Sequence, residues 1–290
     1  MIQISPLGER ILFALSRYKY LTPSHLVKLG VSPSIESTRR ELRKLKDRGF
    51  TWRLASSSVP PNLKANLVAK RVRNEDLNYL TEKGAKIFAE ETRIDLRDLR
   101  YPKRIKTTLS NDYFHRVSSI SVHIAYRQWL DRHDFEPVDE LLYYDKRAKF
   151  KSLKSTIETR VELKDGGSKT PDLIFGYENA KGQGRVFVVE VYNGARTKYI
   201  EEQTQEMLEV LQETTELSDR VGVKKLPRVL ITCEDEGRVA RAVERIKQNS
   251  FFDFDRIGQM LLFNTAPDVW DDFGSGWVNL FGEVSKLEDL

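Results

Sequence analysis

The sequence predicts a mixed α+β and α/β protein of two domains joined by a linker: an N-terminal winged helix-turn-helix over residues 1–91, a basic linker over 92–110, and a mixed-sheet α/β body over 111–290. Three observations lead there. The chain has 290 residues, more than the roughly 100–200 of an ordinary single domain. Residues 1–110 carry 23 Lys and Arg against 11 Asp and Glu, while the remaining residues carry 25 against 32. Helical spacing closed by glycines fills the first third, whereas short apolar runs alternate with helical segments in the rest.

Hydrophobic residues make up 40% and charged residues 31% of the chain, enough apolar surface to bury a core and escape disorder. The lone Cys233 excludes an internal disulfide framework and a cysteine-rich zinc site. No run approaches the roughly 18 apolar residues of a membrane span. Glu9 and Arg10 stand where a signal peptide carries its apolar stretch, so a cytoplasmic protein without membrane partners is expected.

The first helix is expected over Pro6 to Tyr18, with Ile11, Leu12, Leu15 and Tyr18 on its apolar face and Ser5 as N-cap. A short second helix follows Thr22-Pro23 and stops at Gly30; a third starts after Ser32-Pro33-Ser34 and ends at Gly49. Arg39, Arg40, Arg43, Lys44, Lys46 and Arg48 crowd that third helix, while Leu42 and Leu45 face the core. Two extended stretches, Thr51–Ser56 and Ala65–Val72, flank a Pro/Asn turn and read as the hairpin of a wing lined by Lys64, Lys70, Arg71 and Arg73. The segment Asn78-Tyr79-Leu80-Thr81-Glu82-Lys83-Gly84 resembles a strand-to-helix exit. His25 reads as a surface helix residue.

A basic recognition helix beside a basic wing is suited to duplex DNA, since an α-helix fits the B-form major groove and not that of A-form RNA. The competing reading is a solvated basic helix on an ordinary domain. In the linker, Lys103 and Arg104 read equally as an arm on phosphates or as solvated charge.

The body opens on a helix from about Asn111 to Arg132, carrying His115 and His123. Their spacing of eight does not suit a zinc pair, so a substrate-facing or core histidine is expected. Strand-like stretches follow at Phe135–Tyr144, Glu158–Leu163, Pro171–Tyr177 and Arg185–Tyr192, then a helix to about Glu213, a strand Arg228–Thr232, a helix around Glu236–Gln248 and a last strand near Gln259–Phe263.

Asp172 opens one central strand and Glu190 closes the next, so the two acids can meet at one sheet edge. Such oxygen ligands suit Mg²⁺ or Mn²⁺, which can polarise a phosphodiester and lower the pKa of bound water. Glu140, ending an earlier stretch, is the candidate third acid.

Pro171-Asp172 followed by Glu190-Val191-Tyr192 resembles the PD-(D/E)XK nuclease signature, on the αβββαβ order that restriction-endonuclease-like folds use. More narrowly, the basic module ending in Tyr79-Leu80-Thr81-Glu82-Lys83-Gly84, the helix with Phe114-His115-Arg116-Val117, and the acid pair resemble the replication-relaxation family, which includes MobC-type plasmid relaxases. The resemblance implies plasmid or mobile-element DNA processing with metal-dependent nicking by Asp172 and Glu190. The signature's lysine position is Tyr192 in this chain; Lys198 can supply an ammonium from the next helix, and Gln203 or Gln205 can orient water instead.

Three functions follow from these readings. The first is a Mg²⁺- or Mn²⁺-dependent DNA-nicking endonuclease or relaxase, with double-stranded DNA as partner and single-stranded DNA at the nick. The second is a non-catalytic DNA binder, such as a replication initiator, transcription regulator or accessory factor, on an inactive nuclease-like scaffold. In the third, the body binds a protein through its aromatic, acidic tail (Trp270, Phe273, Trp277, Phe281, Glu283, Glu288, Asp289), a segment that reads equally well as a final element packed on the body. A homodimer would read an inverted repeat. A tyrosine nucleophile is disfavoured because none of the four histidines pairs as that chemistry needs.

Overall fold

The computed structural model describes residues 4–55, 75–102, 112–148, 155–162, 167–194, 196–213, 226–251, 253 and 257–289. They form a mixed α and β protein whose largest sheet has seven strands. The chain divides into two compact units, Met1–Ile124 and Ala125–Leu290.

Unit 1 begins with α1 (Pro6–Tyr18), α2 (Pro23–Lys28) and α3 (Ile35–Asp47), capped by the side chains of Ser5, Thr22 and Ser34. Each cap accepts a backbone N–H that the first turn leaves without an intrahelical partner. The glycines end the helices as the sequence suggests. Gly49 takes φ +76, its N–H reaches Lys46 O at 2.8 Å and that of Phe50 reaches Leu45 O at 2.9 Å, the paired closure of a Schellman turn.

Next, β1 (Thr51–Leu54) pairs antiparallel with β2 (Leu77–Leu80), with Thr51 opposite Leu80 and Leu54 opposite Leu77. The described partner of the first extended stretch is Leu77–Leu80; the expected second arm, Ala65–Val72, lies outside the described residues. Leu21 bridges to Asn78 on the other side of β2. After Thr81 comes α4 (Glu82–Thr92). A Cβ at Gly84 would stand 1.9 Å from Phe50 O, so only glycine lets this helix start against the end of β1. Thr81 Oγ1 donates to Gly49 O at 2.6 Å, and Lys83 Nζ donates to Arg48 O at 2.8 Å. The Thr-Glu-Lys-Gly run thus ties α4 to the end of α3.

The helix α5 (Tyr113–His133) crosses the division between the units. In unit 2, β3 (Glu136–Leu142), β8 (Leu173–Glu178) and β9 (Gly184–Val191) form an antiparallel meander. Small hairpins intervene between the first two: β4 (Lys146–Ala148) with β5 (Ser155–Ile157), and β6 (Val161–Glu162) with β7 (Ser168–Lys169). After β9 come α6 (Thr197–Glu213), β10 (Arg228–Cys233) and α7 (Glu236–Lys247), then β11 (Leu261–Thr265) and α8 (Ala266–Asp271). Strands β9, β10 and β11 run parallel. Two strands absent from the expectation, β12 (Trp277–Asn279) and β13 (Val284–Ser285), extend the sheet beyond β11. The tail is therefore sheet and core, with Phe273 and Trp277 fully buried.

Side-chain alternation gives this sheet two different faces. Ile174, Val186 and Val188 join Ile200, Met207, Val210, Ala242 and Ile246 in an aliphatic layer with α6 and α7. Phe175, Tyr177 and Phe187 point the other way, where Phe175 stacks on Tyr126 with ring centroids 4.2 Å apart and Tyr177 meets the edge of Trp129 at 5.0 Å.

Candidate functional site

In unit 1 the cations of α3 stand outward. Arg39, Arg40, Arg43 and Lys44 are exposed and Lys46 is half-buried, while Thr38, Glu41, Leu42 and Leu45 face inward. Arg39, Arg43 and Lys46 recur at four- and three-residue steps, so they form one stripe along the helix. Glu75, a residue not singled out in the sequence, holds the start of this stripe. Its side chain is 1% exposed, accepts from Ser24 N at 2.8 Å, and meets Arg39 Nη2 at 3.4 Å. The wing cations Lys64, Lys70, Arg71 and Arg73, and the linker pair Lys103 and Arg104, lie outside the described residues.

His25 is not a surface residue: it is 1% exposed. It fills the third position of α2 and closes a capping box, with its Nδ1 accepting from Thr22 N and its own N donating to Thr22 Oγ1, both at 3.2 Å. Its Nε2 lies 3.0 Å from Ser121 Oγ. Burial pushes the imidazole pKa down to about 3, so it sits neutral. His123 is a core histidine, its ring centroid 4.9 Å from that of Tyr18.

In unit 2 the two predicted acids do meet. The β8–β9 register pairs Leu173 with Val189, and one step further brings Asp172 opposite Glu190. Asp172 Oδ2 accepts from Val191 N at 2.7 Å. Asp172 is 9% and Glu190 6% exposed, and Glu190 Oε1 has no hydrogen-bond partner among the described residues. Burial first, then the Asp172 carboxylate, pushes the Glu190 carboxyl well above the usual range, while the Lys169 ammonium acts in the opposite direction. Two acids forced together out of water destabilise each other unless a positive charge joins them.

That charge comes from a residue the sequence reading passed over. Lys169, on β7 just before Thr170-Pro171-Asp172, is 7% exposed. Its Nζ donates to Gln203 Oε1 and lies 3.3 Å from Glu206 Oε2, both on α6. Gln203, one of two glutamines named as possible water-orienting groups, thus serves as a lysine acceptor. Tyr192, at the signature's lysine position, is 6% exposed with its hydroxyl lacking a partner among the described residues. Burial, followed by Glu190 and Asp172, raises its pKa well above the ordinary phenol value. Tyr199 of α6, half-exposed, meets Tyr192 edge-on at 6.2 Å.

Two other predicted residues are not brought to this pair. Lys198 is on the outer side of α6, its side chain 69% exposed and 3.4 Å from Glu202. Glu140 stands opposite Phe175, so alternation puts it on the aromatic face of the sheet, away from Asp172 and Glu190. There it pairs with Arg127 of α5, whose Nη2 reaches Glu140 Oε2 at 2.6 Å. A bulge between Pro137 and Asp139 intervenes within β3.

The donor set fits a hard divalent cation with an incomplete protein shell: two carboxylates, one with an unpartnered buried oxygen, leave positions for water and phosphate, as Mg²⁺ prefers. Among the described residues, no group of three His, Cys, Asp or Glu side chains could hold a metal on its own. No described helix is long and apolar enough to cross a membrane. Compared with protein-family models, curated proteins and solved structures, the chain matches none.

Proposed function

We propose that this chain is a DNA-processing protein: a winged-helix unit that binds duplex DNA, joined to a PD-(D/E)XK-like unit that nicks it with Mg²⁺ or Mn²⁺. The observation that carries the reading is the buried, cross-strand pair Asp172–Glu190 beside Lys169, with Glu190 Oε1 unpartnered among the described residues.

The connectivity supports it. The order α5–β3–β8–β9–α6–β10 has three antiparallel strands, a crossover helix and a fourth strand parallel to the third, which is the αβββαβ order of that nuclease class. In unit 1, three helices, the Leu21 bridge and the β1–β2 pair support a winged helix. The family resemblance points to plasmid or mobile-element DNA as the substrate.

In this reading Asp172 and Glu190 hold the cation, and the Val191 amide fixes the Asp172 carboxylate against rotation. When bound, the cation polarises a phosphodiester and lowers the pKa of its water. Lys169 takes the ammonium role first assigned to Lys198, offsetting charge that builds on the phosphate. Gln203 and Glu206 hold it in place. A second reading, a DNA binder on an inactive scaffold, is favoured by one observation: Tyr192 occupies the lysine position with its hydroxyl buried.

The test is nicking of supercoiled plasmid and labelled single strands with Mn²⁺ or Mg²⁺. Cleavage lost in Asp172→Ala, Glu190→Ala and Lys169→Met but kept in Lys198→Met supports the nuclease. Tight binding without cleavage by the unaltered chain leaves the second reading.

A further inference from the structure

We propose that Trp52, with Lys46 lying over its ring, receives an unpaired base of a nucleic-acid strand. This deepens the DNA-binding reading and rests on it. Trp52 is in the middle of β1, yet it is 49% exposed, a large indole surface to leave in water. Its directly opposite partner Tyr79 lies on the same face of the strand pair and is 2% exposed, so Tyr79 is covered while the indole beside it stays open to solvent.

The surroundings favour a polyanion that also carries an aromatic face. Lys46 Nζ stands 5.1 Å from the centroid of the indole ring, and Lys46 ends the stripe begun by Arg39 and Arg43. Exposed Arg43 makes no ion pair among the described residues. A strand whose phosphates follow this stripe arrives at Trp52 with a base to place. Stacking on an aromatic ring is sequence-tolerant and contributes roughly 1–3 kcal/mol per base, beyond what phosphate contacts supply. A paired base in a duplex keeps its faces in its own stack, so the surface selects strands that are open: an overhang, a gap or a nick with a frayed end.

The full chain is titrated with oligo(dT), a blunt duplex, and that duplex carrying a single-stranded overhang, following tryptophan fluorescence and affinity. Oligo(dT) and the overhang are expected to quench the emission, against a background in which Trp129 and Trp277 are fully buried. Trp52→Ala should weaken oligo(dT) and overhang binding by roughly tenfold or more, remove the quenching and leave blunt-duplex affinity unchanged. Trp52→Phe should retain part of the effect, and Lys46→Gln should weaken binding while the indole remains. Wild-type affinity for oligo(dT) in Trp52→Ala overturns the proposal, as does an equal loss on all three probes or a change in that variant's thermal melt. If the unaltered chain binds none of the probes, the DNA-binding reading fails and takes this one with it.

Discussion

Unit 1 and unit 2 use charge in opposite ways. On α3, Arg39, Arg40, Arg43 and Lys44 keep their heads in water, with Arg39 held from beneath by Glu75 and Lys44 by Glu41. At the end of β9, Asp172, Glu190 and Lys169 are each more than nine-tenths buried; Val191 N holds Asp172, and Gln203 and Glu206 hold Lys169. Exposed cations act through a field that salt screens within about 8–10 Å. Buried acids act only at contact, and they weaken the fold that holds them. The first arrangement suits finding and holding a polyanion; the second suits chemistry on a single bond.

Four substitutions sharpen or break this contrast, taken from the largest expected effect downward. Glu190→Gln should reduce metal-dependent nicking on the order of 10³-fold while thermal stability holds or rises, because one of two opposed buried acids is gone. A cleavage defect accompanied by a falling melting temperature would mean that Glu190 is structural. Gly84→Ala should cost about 3 kcal/mol, read from urea unfolding, since its Cβ would strike Phe50 O. In the proposed DNA binder, unit 1 would then lose affinity and fold together, unlike any change on the exposed stripe.

Arg43→Ala should lower duplex affinity by roughly tenfold and reduce the salt slope of binding by about 0.9, with the melting temperature unaltered. A slope that does not move places Arg43 away from phosphates. Near neutral pH the smallest effect belongs to His25, whose folded pKa is about 3 against 6.5 ordinarily. As pH falls below 6.5, the unfolded chain takes up a proton that the folded chain refuses, so stability is lost progressively down to about 3. His25→Gln keeps a capping-box side chain without the titration, so its stability should fall less over that window. Equal slopes for the two proteins would refute a neutral, buried His25.

Local features were legible in the sequence. Ser5 and Thr22 cap the helices they were expected to cap, and Gly30 and Gly49 follow their ends. Asp172 and Glu190 meet because strand ends separated by a short turn fix their own register. Features set by distant partners were not legible. The described partner of β1 is Leu77–Leu80, a pairing that the spacing of turn residues in the sequence does not signal. His25 is buried because Ser121, 96 residues on, closes over it. The face that Glu140 takes follows from its pairing with Phe175, which the sequence does not state. Lys198 follows one helix turn outward, and Lys169 was passed over because it precedes the acid motif instead of following it.

The path between β3 and β8 has a consequence for how such a chain can vary. The large sheet is left after Leu142 and rejoined at Leu173, and the two ends lie together, since Tyr143 N reaches Asp172 O at 3.0 Å. Closing a loop of this kind costs only about 0.6 kcal/mol more for each doubling of its length. Related proteins are therefore free to lengthen, shorten or replace this excursion without rethreading a single strand, provided that its last few residues still deliver a lysine just ahead of the proline and aspartate.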